Sequence, residues 1–190
     1  MISLEQKNAN EIKFIEILTK LGIDLTELNK FLDQINYFNA PASTQYIGAY
    51  PGGLCEHALR VAHELGILCN AYFPGRYTEE DVIKVAFFKD IYKATMYEAY
   101  MKNVKNDETG QWEAIPAYRT REGANRPVYG DLGFSSYMQI KNLIPLSDEQ
   151  IEAIVYSRPS DFAPDIHEVL RTYPLVNLVR MAENAATYIS

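Results

Sequence analysis

The sequence predicts a mainly α-helical fold that contains one small β-hairpin. Apolar residues recur at helical spacing through most of the 190-residue chain. Residues 98–118 break this period around the turn-forming stretch 106–110, as a hairpin with a short loop does. The length suits one well-buried core, and no internal repeat, low-complexity tract or linker interrupts the chain. We therefore expect a single domain over residues 1–190.

Two helices are expected within residues 1–36, joined as a helical hairpin. The first covers 10–21 and ends at Gly22, because glycine favours helix C-termini. Asp24, followed three residues later by Glu27, has the pattern of a capping box and predicts the start of the second helix. The apolar positions that set the two periods are Ile12, Ile15, Leu18, Leu21, Leu28, Phe31, Leu32 and Ile35.

The middle of the chain predicts an ordered loop followed by two core helices. Residues 36–53 lack periodicity and are rich in glycine, proline and small residues, while their aromatic residues suggest that the loop packs. A strong helix is expected over 54–71, and Thr78 is expected to cap the next one. The predicted inward-facing residues of these helices are Leu54, Ala58, Val61, Ala62, Leu65, Leu68, Val82, Val85, Ala86 and Phe87.

Two more helices are predicted nearer the C-terminus. Ser147 and Gln150 have capping-box spacing, and Pro174 stands at a first-turn position, where the fixed φ of proline is favourable. The apolar residues that continue these two patterns are Ile151, Ile154, Val155, Leu175, Leu178, Val179, Ala182 and Ala186.

Composition and charge limit the partners and the location. The formal net charge of -7 argues against a broad surface for polymeric DNA or RNA, although a local cationic pocket for one phosphorylated ligand is compatible with it. Cys55 and Cys69 fall on one predicted helix, about 21 Å apart at a rise of roughly 1.5 Å per residue, which is too far for a disulfide. Neither a secretion signal nor a membrane-spanning run is evident, so we expect a cytoplasmic protein without a membrane partner.

Two motifs about thirty residues apart carry a family resemblance. The first is Gly-Gly-Leu-Cys-Glu-His at 52–57, and the second is the apolar run at 85–94, which ends in Lys-Asp-Ile-Tyr-Lys-Ala. The first resembles the first-ligand motif of the HD superfamily of metal-dependent phosphohydrolases, and the second resembles that family's apolar run ending in His-Asp-x-x-Lys. The resemblance implies an HD-like helical bundle.

Further segments follow the family's order and are most similar to small HD proteins of phages and bacteria. Residues 41–44 resemble a Pro-Ala-Ser-Thr loop, and 103–112 resemble an Asn-Val-Lys-Asn hairpin with a Gly-x-Trp return. Residues 146–154 resemble the segment before a ligand histidine, and 173–188 resemble the closing helix with its Ala-Asp ligand. The likeness therefore runs over about residues 40–190.

The chain departs from the family at most metal-ligand positions. The family's centre holds one or two metals with several histidines and aspartates, since such ions need imidazole nitrogen or carboxylate oxygen donors. Here His57 and Asp90 stand at two of these positions, and Glu183 replaces the final aspartate. The residues found where ligand histidines are expected are Lys89, Asp131 and Ser157.

Lys89 replaces the histidine of the His-Asp pair itself. A charged ammonium group has three donors and no lone pair, so it cannot bind a metal. Unit charges about 4 Å apart attract by roughly 4 kcal/mol at an intermediate dielectric, before desolvation is subtracted. We predict that Lys89 acts as an internal cation beside Asp90, so that no cofactor is needed. The alternatives are a purely structural ion pair, or one divalent ion held by His57, Asp90 and Glu183.

Other side chains are candidate contacts for a phosphorylated ligand. Lys93 matches the family's lysine, Arg60 lies one turn after His57, and both Arg60 and Arg158 are otherwise solvated surface arginines. Asp131 is a further candidate contact, because it stands where the family's pattern has a ligand histidine. The aromatic residues that would wall a pocket, or else be ordinary core or surface residues, are Tyr46, Tyr92, Trp112 and Tyr118. The polar segment 119–126 is either a lid or a solvated loop.

Three functions are compatible with this sequence. The leading hypothesis is a catalytically inactive HD-like protein that binds a nucleotide or another phosphorylated small molecule. The likeness to phage proteins suggests that such a protein sequesters a nucleotide signal of host defence. The second is a protein-interaction module that inhibits a host protein. The third is a weakened phosphohydrolase with one metal on His57, Asp90 and Glu183.

Overall fold

The computed structural model describes residues 2–122, 130–158 and 166–189 and confirms a mainly helical fold with one small hairpin. The helices are α1 (Leu4–Lys20), α2 (Leu25–Gln34), the 3-10 turn η1 (Tyr37–Asn39), α3 (Gly53–Tyr72), α4 (Glu79–Phe88), α5 (Tyr92–Met96), α6 (Leu132–Ile140), α7 (Asp148–Val155), α8 (Ile166–Thr172) and α9 (Pro174–Tyr188). The strands are β1 (Tyr97–Lys105) and β2 (Trp112–Thr120). Within these ranges, we find no helix with the length and apolar character that a bilayer crossing requires.

Three predicted helix starts are confirmed, two of them by capping boxes and one by a first-turn proline. At α4, Thr78 and Asp81 exchange side-chain-to-backbone hydrogen bonds as a capping box. At α7, Ser147 and Gln150 do the same. Pro174 is the first residue of α9. Local side-chain chemistry thus fixes where these helices begin.

The predicted bounds and inward face of α1 are partly wrong. The helix begins at Leu4 because the Ser3 hydroxyl accepts a hydrogen bond from the Gln6 amide at 3.1 Å. Ile12, one of the residues that set the predicted apolar period, is 58% exposed, whereas Phe14, outside that period, is fully buried. The Phe14 ring stacks on that of Phe87, with centroids 4.0 Å apart, and this contact sets the face of α1 that meets the core.

The start of α2 is confirmed, but its predicted capping box is wrong. The Asp24 carboxylate accepts from the Thr26 amide at 2.9 Å, two residues away. The Glu27 carboxylate pairs instead with the Lys30 ammonium at 2.7 Å. A neighbouring cation therefore takes the place of the backbone amide that a capping box needs.

α3 is the central helix, and it packs against α1, α4 and α9. Its predicted inward residues are confirmed, except that Leu68 is only partly buried. Both cysteines lie buried and free on this helix. The preceding loop packs as predicted, through the buried Tyr37, whose hydroxyl donates to the Phe87 carbonyl at 3.4 Å. Together with the contact between His57 and Glu183, this arrangement places the first half of α3 near the end of α4 and the second half of α9.

The predicted β-hairpin is confirmed. β1 pairs with β2 in antiparallel register from Tyr97 opposite Thr120 to Lys105 opposite Trp112. The Asn106 side chain accepts from two amides of the connecting turn, at 2.9 and 3.1 Å. The hairpin follows directly from α5 and is mostly exposed on both faces.

Three short helices, α5, α6 and α8, were not predicted. α6 approaches α7 so closely that a Cβ added at Gly133 would lie 2.0 Å from the Val155 carbonyl oxygen. The Ser136 hydroxyl on α6 donates to the Lys89 carbonyl at 2.7 Å. Tertiary contacts, rather than an apolar period, thus hold α6 in place.

Candidate functional site

Five elements bring six ionisable side chains together, which we call the charged cluster. His57 lies on α3, and Lys89 and Asp90 directly follow α4. Lys93 lies on α5, Arg158 follows α7, and Glu183 lies on α9. The members are His57, Lys89, Asp90, Lys93, Arg158 and Glu183. All six are residues that the sequence singled out.

The Lys89 ammonium lies between two carboxylates in the interior. Its Nζ atom donates to Asp90 Oδ2 at 2.6 Å and also to Glu183 Oε2. The side chain is 1% exposed, so water contributes little to its solvation. The prediction that Lys89 points towards Asp90 is confirmed by these contacts.

The remaining carboxylate oxygens are also engaged. Asp90 Oδ2 accepts from Lys93 Nζ at 3.0 Å, and Asp90 Oδ1 accepts from Arg158 Nε at 3.3 Å. Arg158 Nη2 donates to Glu183 Oε1 at 3.3 Å, and His57 Nε2 lies 2.9 Å from Glu183 Oε2. Each oxygen of both acids therefore has a nitrogen donor.

The charges around the two acids keep them ionised. Burial raises the pKa of the Asp90 carboxyl, but the nearby cations, led by Lys89, outweigh burial and hold the pKa well below its usual value. Burial and Asp90 raise the pKa of Glu183, whereas Lys89 and the hydrogen bond from His57 lower it, with a net decrease. Both groups are carboxylates at neutral pH.

The two remaining cations, Lys93 and Arg158, have pKa values shifted in opposite directions. Burial, helped by Arg158 and Lys89, lowers the pKa of the Lys93 ammonium to about 8. The neighbouring Asp90 carboxylate raises the pKa of Arg158 above its usual value despite partial burial. Arg158 thus stays charged at all physiological pH values, whereas the Lys93 ammonium, with a pKa of about 8, loses its proton over the range around that pH.

The donor set does not fit a divalent metal ion in this arrangement. One donor atom each from His57, Asp90 and Glu183 lies within 4.8 Å of the others, which is compact enough for one ion. The ionised Glu183 can only accept, so its contact with His57 places a hydrogen on Nε2 and removes that lone pair. Lys89 Nζ contacts the same two carboxylate oxygens that an ion would need. The ammonium and the imidazole N–H therefore compete directly with a metal.

A cavity of about 790 Å³ adjoins the charged cluster and has the size of a small-molecule site. His57, Lys93, Arg158 and Glu183 line it, while Lys89 and Asp90 lie behind these residues. The remaining described residues that line the cavity are Ala42, Ser43, Tyr46, Ile47, Tyr97, Ser157, Arg180, Asn184, Thr187 and Tyr188. The described lining is cationic overall, because it contains Lys93, Arg158 and Arg180 but a single carboxylate.

Some predicted site residues lie elsewhere. Arg60 pairs with Glu56 at 2.6 Å and does not line this cavity. Asp131 is the N-terminal flanking residue of α6. Tyr92 is buried in the core, where its amide donates to Ser136 Oγ at 3.4 Å.

Only one of the other three predicted aromatic wall residues lines the cavity. Tyr46 lines the cavity, but Trp112 and Tyr118 lie on the hairpin and do not. Ser157, in place of a ligand histidine, lines the cavity and donates to the Ile154 carbonyl at 2.9 Å. Of the segment 119–126, residues 123–126 lie outside the described residues.

The sequence reasoning missed a row of cavity residues on α9 and one supporting serine. Arg180 and Thr187 lie three and four positions from Glu183, and Asn184 and Tyr188 lie four positions from each other. Helical spacing from Glu183 is a signal that could have found Arg180 and Thr187, but it does not reach Asn184 and Tyr188. Ser136 had no such signal, because its contact with the Lys89 carbonyl joins distant segments.

We compared the chain with family models, curated proteins and solved structures, and none of them matches.

Proposed function

We propose that this protein is a non-catalytic, HD-like binder of a nucleotide or another phosphorylated small molecule. The observation that carries the proposal is the position of Lys89 Nζ, in contact with both Asp90 and Glu183 behind a cationic cavity. The HD likeness supports the proposal because the motifs at 52–57 and 85–94 bring His57 and Asp90 side by side, with Nε2 4.0 Å from Oδ2.

The charge of the cavity favours an anion. Lys93, Arg158 and Arg180 line it, against the lone carboxylate of Glu183 among the described residues. The Arg180 guanidinium donates to the carbonyls of Tyr156 and Arg158, at 2.7 and 3.0 Å, and so fixes the backbone that carries Arg158. A phosphate group that meets such pre-positioned cations gains charge-assisted hydrogen bonds at little ordering cost.

Catalysis of phosphate ester hydrolysis is disfavoured by the same contacts. An HD-type reaction needs a metal that lowers the pKa of a bound water. The oxygens of Asp90 and Glu183 instead accept from Lys89, Lys93, Arg158 and His57. An ammonium ion neutralises carboxylates, but it cannot generate hydroxide as a metal does.

Isothermal titration calorimetry tests this proposal. Nucleoside mono-, di- and triphosphates, sugar phosphates and pyrophosphate are titrated into the protein at pH 7. We expect saturable 1:1 binding of at least one phosphorylated compound. Lys93→Gln should weaken it about tenfold or more, the effect of losing one charge-assisted hydrogen bond. The matched control Lys105→Gln, on the exposed hairpin, should change nothing. Absence of heat from the whole panel would refute the proposal.

A further inference from the structure

Two exposed tyrosines line the same cavity as the charged cluster. Tyr46 is 84% exposed and Tyr188 is 81% exposed, yet both contribute to the cavity wall. Large aromatic rings left in water next to a pocket gain by covering a flat, apolar partner. We propose that the ligand is a nucleotide whose base stacks on Tyr46 and Tyr188, with its phosphate at Lys93 and Arg158. This inference rests on the proposed function and narrows the ligand from phosphorylated compounds in general to nucleotides.

Tyr46 is held by an ordered loop. Its amide donates to the Ser43 hydroxyl at 3.0 Å, and its carbonyl accepts from the Ala49 amide at 3.2 Å. Gly48, with φ of +70°, accepts from the Ala42 amide at 2.8 Å and closes the loop. These contacts hold the Tyr46 backbone beside the cavity without a ligand, so little backbone ordering entropy is lost on binding.

The loop is also anchored to the helix that carries His57. A Cβ added at Gly53, the first residue of α3, would lie 2.1 Å from the Gly48 carbonyl oxygen. The backbones of the loop and of α3 therefore meet in direct contact. This fixes Tyr46 relative to His57, four residues after Gly53 on the same helix, and hence relative to the charged cluster.

α9 gives the cavity two chemically different ends. This one helix contributes Arg180, Glu183, Asn184, Thr187 and Tyr188 to the lining. Eight residues separate Arg180 from Tyr188, about 12 Å along the axis of an α-helix. The cationic end lies near Arg158, because Arg180 Nη2 donates to the Arg158 carbonyl at 3.0 Å. Tyr188 lies at the opposite end of this row, where the base is placed when the phosphate binds at Lys93 and Arg158.

Polar side chains between these ends suit the edge of a base or a ribose. Asn184 offers an amide donor and acceptor, and Thr187 offers a hydroxyl. A sugar phosphate would occupy the cationic end but would leave Tyr46 and Tyr188 uncovered. A nucleotide occupies both ends, and for that reason it is the ligand class that the lining favours.

Calorimetry with matched probes tests the inference. Adenosine, guanosine, cytidine and uridine 5′-monophosphates are each compared with ribose 5-phosphate. Base stacking on aromatic side chains should make at least one nucleotide bind about 5- to 100-fold more tightly than ribose 5-phosphate. The double variant Tyr46→Ala/Tyr188→Ala should reduce that ratio to near one, because the nucleotide loses its stacking partners. Tyr46→Phe/Tyr188→Phe should keep the ratio, because the rings remain.

A variant of a distant exposed tyrosine controls for the general effect of losing aromatic surface. Tyr72→Ala removes another exposed tyrosine, at the far end of α3, and should leave the ratio as it is. Equal binding of the nucleotides and ribose 5-phosphate, or a ratio unaffected by the double alanine variant, would overturn the inference while the proposed function stands. If none of the nucleotides and sugar phosphates binds, the inference fails, and the proposed function fails with it only when the rest of the panel, including pyrophosphate, also gives no heat.

Discussion

The Lys89 ammonium donates to the buried Asp90 carboxylate and to the partly buried Glu183 carboxylate, and its removal would take away the cation closest to each of them. A buried ion pair adds little net stability over an apolar replacement of all partners. Loss of one partner, by contrast, typically costs about 3–5 kcal/mol. We therefore expect Lys89→Met to lower the free energy of unfolding by about that amount at pH 7, measured by urea denaturation.

The matched control for this variant is Lys102→Met, which removes an exposed lysine of the hairpin. It should change stability by no more than about 0.5 kcal/mol. If Lys89→Met proved as stable as the control, Lys89 would not be the cation that balances Asp90 and Glu183.

The lowered pKa of Lys93 predicts a pH dependence of ligand binding. Its ammonium is charged below a pKa of about 8 and neutral above it. Affinity for a phosphorylated ligand should therefore fall as the pH rises through about 8, and Lys93→Arg should abolish the fall, because arginine stays charged. Calorimetry between about pH 6.5 and pH 9.5, a range that brackets the lowered pKa of about 8, provides the measurement. A flat profile for the unaltered protein would contradict this role.

Unfolding does not explain such a fall in affinity, because the lowered pKa of Lys93 stabilises the folded state as the pH rises. The folded pKa of Lys93 lies below the ordinary lysine value, so the unfolded chain binds more protons between about pH 8 and the ordinary value near 10.4. This group therefore makes the folded state more stable as the pH rises through that window. Loss of affinity with a retained fold is the expected combination.

At the level of residues, the sequence identified the charged cluster because motifs carry its members. It failed at Arg60, which forms an ion pair with Glu56 one turn earlier on α3. Such a local i,i+4 pair is available to any helix and requires no pocket. Arg180 was missed for the converse reason, since its partners are backbone carbonyls of a distant segment.

Among the elements, the contact between the loop and the start of α3 predicts a sharp difference between two glycines. Gly53→Ala would place a Cβ 2.1 Å from the Gly48 carbonyl oxygen, whereas Gly66→Ala meets only Val82 Cγ1 at 4.0 Å. We expect Gly53→Ala to lower the free energy of unfolding by about 1–3 kcal/mol or more. Gly66→Ala should raise it by roughly 0.5–1 kcal/mol, because alanine favours a helix interior.

Urea denaturation of the two variants checks this prediction, with the unaltered protein as reference. They lie on the same helix, so each serves as the control for the other. Equal stability of Gly53→Ala and Gly66→Ala would show that the loop is free to move away from α3, and Tyr46 would then lack its fixed position.

Elements with local signals were predictable, and those set by distant contacts were not. Thr78 and Ser147 mark α4 and α7 because their capping contacts span three residues. α6 lacked such a signal: its glycine and serines are typical of a loop, but Gly133 is required by the approach of Val155. The exposed Ile12 shows that an apolar period alone does not decide which side of a helix is buried.

For the whole molecule, the acidic chain contrasts with the cation-rich lining of its cavity. The net charge of -7 is spread over the protein, whereas Lys93, Arg158 and Arg180 converge on one cavity. The sequence predicted the mainly helical fold, and it also predicted that a cationic pocket was compatible with the overall charge. It did not predict the cavity wall on α9, because that wall exists only when α9 packs on α3.

Metal analysis of the purified protein, combined with thermal unfolding in the presence of manganese, tests the central claim most directly. If Lys89 takes the place of a metal between Asp90 and Glu183, the protein should contain no stoichiometric divalent ion, and manganese should not raise its Tm. Lys89→His, which restores an imidazole donor, should gain a manganese-dependent rise in Tm. One equivalent of metal in the unaltered protein, lost in Asp90→Asn, would contradict the account.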